Sequence, residues 1–292
     1  MVERMQIDGP NGRLDVATGG PADGRVLIHH SGTPSAGLLF EPLVTIGAER
    51  GWRHIAYARP GYDSSSRHPG RSVADCAADV VAIADALAVD RFFTTGQSGG
   101  GPHALATAAL LGDRVIAAAT TGGVAPWNAD GLDFLAGMGQ ENHDEFGAAV
   151  AGEAELRSWL EREAREMVSV TGAELHKSLG DLVSEVDSRA LTGEFADHIA
   201  ESFTAAVSNG VDGWLDDDLA FIRDWGFDLQ AISVPVTIWQ GGQDRFVPFA
   251  HGQWLADHIP GTRPRLLPEH GHLSIELDLY GEILDDLLVV ED

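Results

Sequence analysis

Short apolar runs of β character alternate with longer stretches of helical spacing along most of this chain, and that alternation narrows its fold more than any other feature. Strands are predicted over residues 25–30, 53–58, 91–95, 115–121, 234–239 and 263–267. Helical patterns follow at about 37–50, 72–87, 248–258 and 274–289, and an Ala/Leu-rich one ends near 111. Connections of this length are crossovers rather than hairpins. The strands therefore lie mostly parallel in one sheet, with helices covering both faces.

The alternation breaks once. From 126 to about 228 no clear strand occurs, and the spacing is helical with acidic faces, as in Leu156-Arg157-Ser158-Trp159-Leu160-Glu161. The reading is a helical insertion between two strands of the sheet. Residues 1–125 and 230–292 then form the core, and 126–229 form the insertion.

Charge marks the same segment. The 292 residues carry 45 Asp and Glu against 19 Lys and Arg, a formal net charge of −26, and residues 129–228 alone hold 23 acidic and 6 basic side chains. With no basic stripe, such a chain repels polyanions, so neither nucleic acid nor an anionic membrane surface is an expected partner. Most of the insertion's carboxylates are expected to form a solvated face. A few facing inward would bias the protein toward small neutral or cationic substrates. The single cysteine, Cys76, excludes an internal disulfide and falls in an apolar run that suits a buried core residue. No apolar stretch approaches the ~18 residues of a membrane span, and residues 1–15 carry no apolar leader. A soluble, cytoplasmic protein is expected.

The chemistry concentrates at Gly96-Gln97-Ser98-Gly99-Gly100, set between an apolar strand and an Ala-rich helix. A strand-to-helix turn this tight forces its central residue into a strained backbone conformation, and glycines on either side remove the collisions. The Ser98 hydroxyl then projects at a helix N-terminus, where backbone N–H groups and the helix dipole favour developing negative charge. Ser98 is the predicted nucleophile, and it needs a base. Of twelve histidines, His143, His176 and His198 fall in the insertion and His68 in a Pro/Gly loop. The loop Glu269-His270-Gly271-His272 follows the last strand, and His272, anchored by the helix after it, is the predicted base. An acid must orient it. Asp244 follows the strand ending near Trp239 and reaches the same sheet edge, whereas Asp216, Asp217 and Asp218 are set aside because they lie in the insertion. For the oxyanion, the expected donors are the backbone N–H groups of Gly99 and of Thr33, in the Ser31-Gly32-Thr33-Pro34 loop. No Cys/His cluster has metal-ligand spacing, and no dinucleotide fingerprint follows a strand, so neither metal nor organic cofactor is expected. Trp127, Trp159, Trp214, Trp225 and Phe134 are read mainly as core of the insertion.

Together the elbow at 96–100, the Gly32-Thr33-Pro34 loop, Arg59-Pro60-Gly61-Tyr62, the Gly242…Asp244…Val247-Pro248 segment and Gly271-His272 resemble the α/β-hydrolase superfamily. The likeness covers roughly residues 12–125 and 230–290, in the chain order nucleophile, acid, histidine. It implies an eight-stranded, mostly parallel sheet, and makes the 126–229 insertion a helical cap over the active site. It also implies a serine hydrolase acting on a small or medium ester or lactone. Two segments depart from the family pattern: Ser31 stands where a histidine is usual, and Tyr62-Asp63-Ser64-Ser65 replaces a Gly-x-Gly-x-Ser. Three other activities fit the same residues: hydrolysis of a carbon–carbon bond, a proline-iminopeptidase-like aminopeptidase, and a receptor-like module that binds without turnover. The aminopeptidases usually carry Trp after the nucleophile, where this chain has Gly99.

Overall fold

The computed structural model describes residues 1–289, so the last three positions of the 230–292 segment lie outside the described residues. The strands are β1 (Glu3–Gly9), β2 (Gly12–Gly19), β3 (Arg25–His30), β4 (Trp52–Tyr57), β5 (Phe92–Gln97), β6 (Val115–Thr121), β7 (Val236–Gly241) and β8 (Arg263–Leu267). They form one sheet in the order β1-β2-β4-β3-β5-β6-β7-β8. Every pairing from β4 to β8 is parallel, while β2 runs antiparallel to β1 and β4. Six strands fall where the alternation predicts them, within two residues. The β1–β2 hairpin escapes that reading. As the sheet's edge strand, β1 leaves most of its residues in contact with solvent and shows no apolar run. β7 starts two residues later than predicted because Pro235 has no N–H to give to the ladder.

Five helices flank the sheet: α1 (Glu41–Glu49), α2 (Cys76–Ala86) and α3 (Gly100–Leu110) from the first half, and α10 (Phe249–His258) and α11 (His272–Leu288) from the last quarter. Side chains of α2, α3 and α10, including Val80, Leu105 and Leu255, pack on one face against Ile28, Ile55 and Ile238. On the other face α1 and α11 bring Leu43, Ile283 and Leu287 against Leu27, Phe93 and Trp239. Cys76 is buried.

Between β6 and β7 the chain forms only helices: α4 (Gln140–Ala151), α5 (Glu153–Met167), α6 (Gly172–Ser178), α7 (Glu185–Ala190), α8 (Gly193–Val207) and α9 (Asp212–Phe221). α4, α5, α8 and α9 share a core in which Leu156, Leu160 and Leu215 surround the edge-on rings of Trp159 and Trp214. Most acids of this segment face solvent, but Asp187, Asp216, Asp217 and Asp218 are buried, and Asp187 and Asp217 bind segments of the core that carry candidate site residues. Among the described residues, no helix is long and apolar enough to cross a membrane.

Candidate active site

The loops after β3, β5, β7 and β8 converge at the carboxyl edge of the sheet, where open α/β sheets bind their ligands. Ser98 sits between β5 and α3 with φ +54, a left-handed conformation unusual for any residue but glycine. Its N–H bonds to Thr121 O at 2.9 Å, and its carbonyl accepts from Gly101 N at 2.9 Å, so the strained turn is held on both sides. The neighbouring glycines are obligatory: a Cβ on Gly100 would run into the carbonyl of His30, and one on Gly96 into that of Gly100.

Asp244 and His272 meet as the sequence predicts. His272 Nδ1 lies 2.7 Å from Asp244 Oδ2, and both side chains are buried. The other carboxylate oxygen accepts from the N–H groups of Phe246 (2.9 Å) and Val247 (2.8 Å), while Gln240 Nε2 donates to Oδ2 at 3.1 Å. Four donors thus fix the acid, and the acid fixes the imidazole tautomer with its proton on Nδ1. Burial alone would depress the His272 pKa, but the Asp244 carboxylate and its hydrogen bond outweigh burial and hold it above the ordinary value of 6.5.

Ser98 lines the same cavity as His272, yet its hydroxyl makes no hydrogen bond to the ring. The second ring nitrogen, Nε2, has the Gln97 side-chain amide nitrogen at 3.2 Å. Gln97 had no assigned part in the sequence reading. Being the x of G-x-S-x-G was the only signal for it.

Gly99 and Thr33 are neighbours across the site, close enough that a Cβ on Gly99 would strike the Thr33 side chain. Neither backbone N–H has an acceptor among the described residues. Both are therefore free for a ligand.

Three residues to which the sequence reading gave no part in the site hold this arrangement in place. Asp187, from α7, accepts from the first three N–H groups of α11: His272 (2.9 Å), Leu273 (2.8 Å) and Ser274 (3.0 Å). It caps the helix that carries the predicted base. Arg59 donates to the carbonyls of Ser31 and Gly32 and to Thr33 Oγ1, so it grips the Ser31–Thr33 loop residue by residue. Asp217, from α9, in turn binds Arg59 Nη2 at 2.6 Å, Arg71 Nη1 at 2.6 Å, Tyr62 OH at 2.9 Å and Thr33 Oγ1 at 2.9 Å. Burial would raise the Asp217 carboxyl, but the guanidinium groups of Arg59 and Arg71 reverse that and hold it far below the usual carboxylate range. Asp216–Asp218, set aside as orienting acids, do not contact His272, but Asp217 binds Thr33 of the Ser31–Pro34 loop directly.

Two cavities meet at Ser98. The larger, of about 140 Å³, also touches Thr33, His272 and Phe246; the smaller, of about 60 Å³, touches Thr33, Gly99 and Phe246. Insertion residues wall both, Phe195 and Ile199 on the larger, Met138 and Phe221 on the smaller. None of the insertion's tryptophans lines either cavity. His198, grouped by sequence with unremarkable insertion histidines, lines the larger one. His270 lines neither. Among the described residues, no group of three or more His, Cys, Asp or Glu side chains is placed to hold a metal ion.

With this geometry in view, the model of the alpha/beta hydrolase fold family matches residues 24–279 of the chain. The protein belongs to the α/β-hydrolase family. It is similar to the uncharacterized hydrolase YcgS of Bacillus subtilis, 23% identical over 274 residues, which span 93% of this chain and 92% of that one. It is likewise similar to the putative carbamate hydrolase RutD of Variovorax paradoxus, 25% identical over 282 residues, 92% and 93% of the two chains. A thermophilic esterase from Thermogutta terrifontis shares the fold with a TM-score of 0.72 and 20% identity, over 99% of this chain and 100% of the esterase. As a member of that family the protein is a hydrolase.

Proposed function

We propose that this hydrolase cleaves small or medium carboxylic esters or lactones through an acyl-enzyme, with residues 126–229 as a cap over the reacting centre. Ser98 Oγ attacks the carbonyl carbon and its proton passes to His272 Nε2. The new oxyanion accepts from the N–H groups of Gly99 and Thr33. When the tetrahedral species collapses, the C–O bond to the alcohol breaks and the leaving oxygen takes the proton from Nε2. Water then attacks the acyl-enzyme, His272 again accepts the proton, and the acid leaves as Ser98 regains its hydrogen. Asp244 stays ionised and stabilises the imidazolium between these transfers.

The observation that carries this reading is Ser98 itself, a non-glycine residue at φ +54 where two cavities meet, beside a buried Asp244–His272 pair. Two cavities give separate room to the acyl and alcohol arms. The same attack on a carbonyl reaches carbamates, the class in the name of the Variovorax relative. Wild-type protein should hydrolyse p-nitrophenyl butyrate and take a covalent fluorophosphonate label, whereas Ser98→Ala should do neither while keeping its circular dichroism spectrum. Turnover in Ser98→Ala sinks the assignment, and a wild type that takes no label turns the reading toward a binding module.

One observation favours a second reading, an aminopeptidase. Glu145 and Asp218 from the insertion both line the smaller cavity, within reach of a substrate amine beside Ser98. Cleavage of aminoacyl-naphthylamides in preference to the p-nitrophenyl esters would select it.

A further inference from the structure

The larger cavity contains one acid that no step above uses. His272, Glu276 and Tyr280 follow one another at intervals of four along α11, so they share one face, and all three line the cavity. Two of them are engaged: His272 with Asp244, and the Tyr280 hydroxyl with His54 Nδ1 at 3.1 Å. Glu276 has neither a hydrogen-bond nor an ion-pair partner among the described residues. Burial pushes its carboxyl up to about 7, and the neighbouring His272 pulls against that rise.

No Lys or Arg lines this cavity. Besides Glu276 and His272, its titratable side chains are His29, His54, His198 and Tyr280. Burial drives His29 and His54 down to about 4, lowers His198, and raises Tyr280, so all four are neutral near pH 7. The walls around them are apolar, with Leu38, Phe40 and Phe195 among them. A carboxylate enclosed in such walls is costly unless a partner neutralises it, and the cavity's own side chains supply none except the catalytic imidazole.

We propose that the larger cavity is a subsite for a substrate arm bearing an ammonium group, with Glu276 on α11 as its counter-ion. The proposal rests on the serine-hydrolase reading and deepens it by naming a substrate class: amine-bearing esters. An anionic arm meets repulsion from the same carboxylate. A neutral arm leaves that carboxylate unpartnered.

The test compares two p-nitrophenyl esters of one shape. The first is the γ-trimethylammonio-butyrate ester. The second is its isostere with carbon in place of the quaternary nitrogen. In the wild type kcat/KM for the cationic ester should exceed that for the neutral one by about tenfold, and the ratio should fall to about one in Glu276→Gln. Glu276→Asp, which keeps the charge but draws it back by one carbon, should give an intermediate ratio. A wild-type ratio near one, or a ratio that survives Glu276→Gln, overturns the proposal. So does a ratio lost in Glu145→Gln instead, which would seat the cation in the smaller cavity.

Calorimetric binding of propyltrimethylammonium needs no turnover, so it decides the subsite even if the ester reading fails and neither ester is cleaved. Binding weakened about tenfold by Glu276→Gln supports the subsite, and equal binding to both proteins overturns it.

Discussion

At the scale of single residues, the proposed base is governed by two competing neighbours, one on each ring nitrogen. On Nδ1 the Asp244 carboxylate stabilises the charged ring and raises its pKa. A base works only when neutral, so activity should rise with pH, and the acid limb of kcat/KM should lie above the ordinary 6.5. Asp244→Asn removes that charge and offers the ring the wrong tautomer. It should cost about four orders of magnitude in kcat. A limb at or below the ordinary value would detach Asp244 from the chemistry. On Nε2 the Gln97 amide donates to the lone pair that Ser98 must use. Removing a single neutral hydrogen bond of this kind shifts an equilibrium by about 0.5–1.5 kcal/mol. Gln97→Ala should therefore speed fluorophosphonate labelling of Ser98 by roughly two- to tenfold. Slower labelling would instead show that Gln97 helps hold the ring in its working position.

At the scale of elements, the site is built by the sheet and held by the insertion. That Ser98, Asp244 and His272 come to one edge of the sheet was legible because each follows a strand end within a short local pattern, and a parallel sheet brings strand ends together whatever the intervening chain does. Asp187 and Asp217 were not legible. Their partners lie 85 and 158 residues away, and a helix rich in acid reads as a solvated surface until packing turns one face inward. The two acids make separable predictions. Asp187→Ala strips three N–H groups at the start of α11 of their acceptor and should lower stability by about 2–3 kcal/mol in urea unfolding. Asp217→Asn leaves Arg59 and Arg71 buried without their counter-charge, which typically costs about 3–5 kcal/mol. Because Arg59 also grips the Ser31–Thr33 backbone, Asp217→Asn should depress kcat more than it raises KM, whereas a purely architectural role would leave the kcat of the folded fraction unchanged.

For the whole molecule, the charge of −26 is more than a surface property, since part of it is drawn inside the insertion and must be neutralised there. Asp217 is neutralised by arginines. Glu145 and Asp218 have no such cation; they face one another in the smaller cavity, where Trp214 Nε1 donates to Glu145 at 2.6 Å. Burial, opposed by hydrogen bonds from Asp218 and Trp214, pushes Glu145 up to about 7, and burial beside Glu145 pushes Asp218 up as well. The folded protein therefore keeps a proton that the unfolded chain releases near 4.5. The Glu145 contribution to stability is fully present below 4.5 and declines as pH climbs from there to about 7. Discounted for the partial exposure of Glu145, the decline is on the order of 1–2 kcal/mol. Glu145→Gln keeps a donor toward Asp218 but has no proton to lose. It should unfold at a higher urea concentration than the wild type at pH 8, and the gap should close as the pH is brought down toward 5. A variant weaker than the wild type at pH 8 would mean that the two carboxyls, despite their burial, gain more from sharing a proton than the fold loses by retaining it.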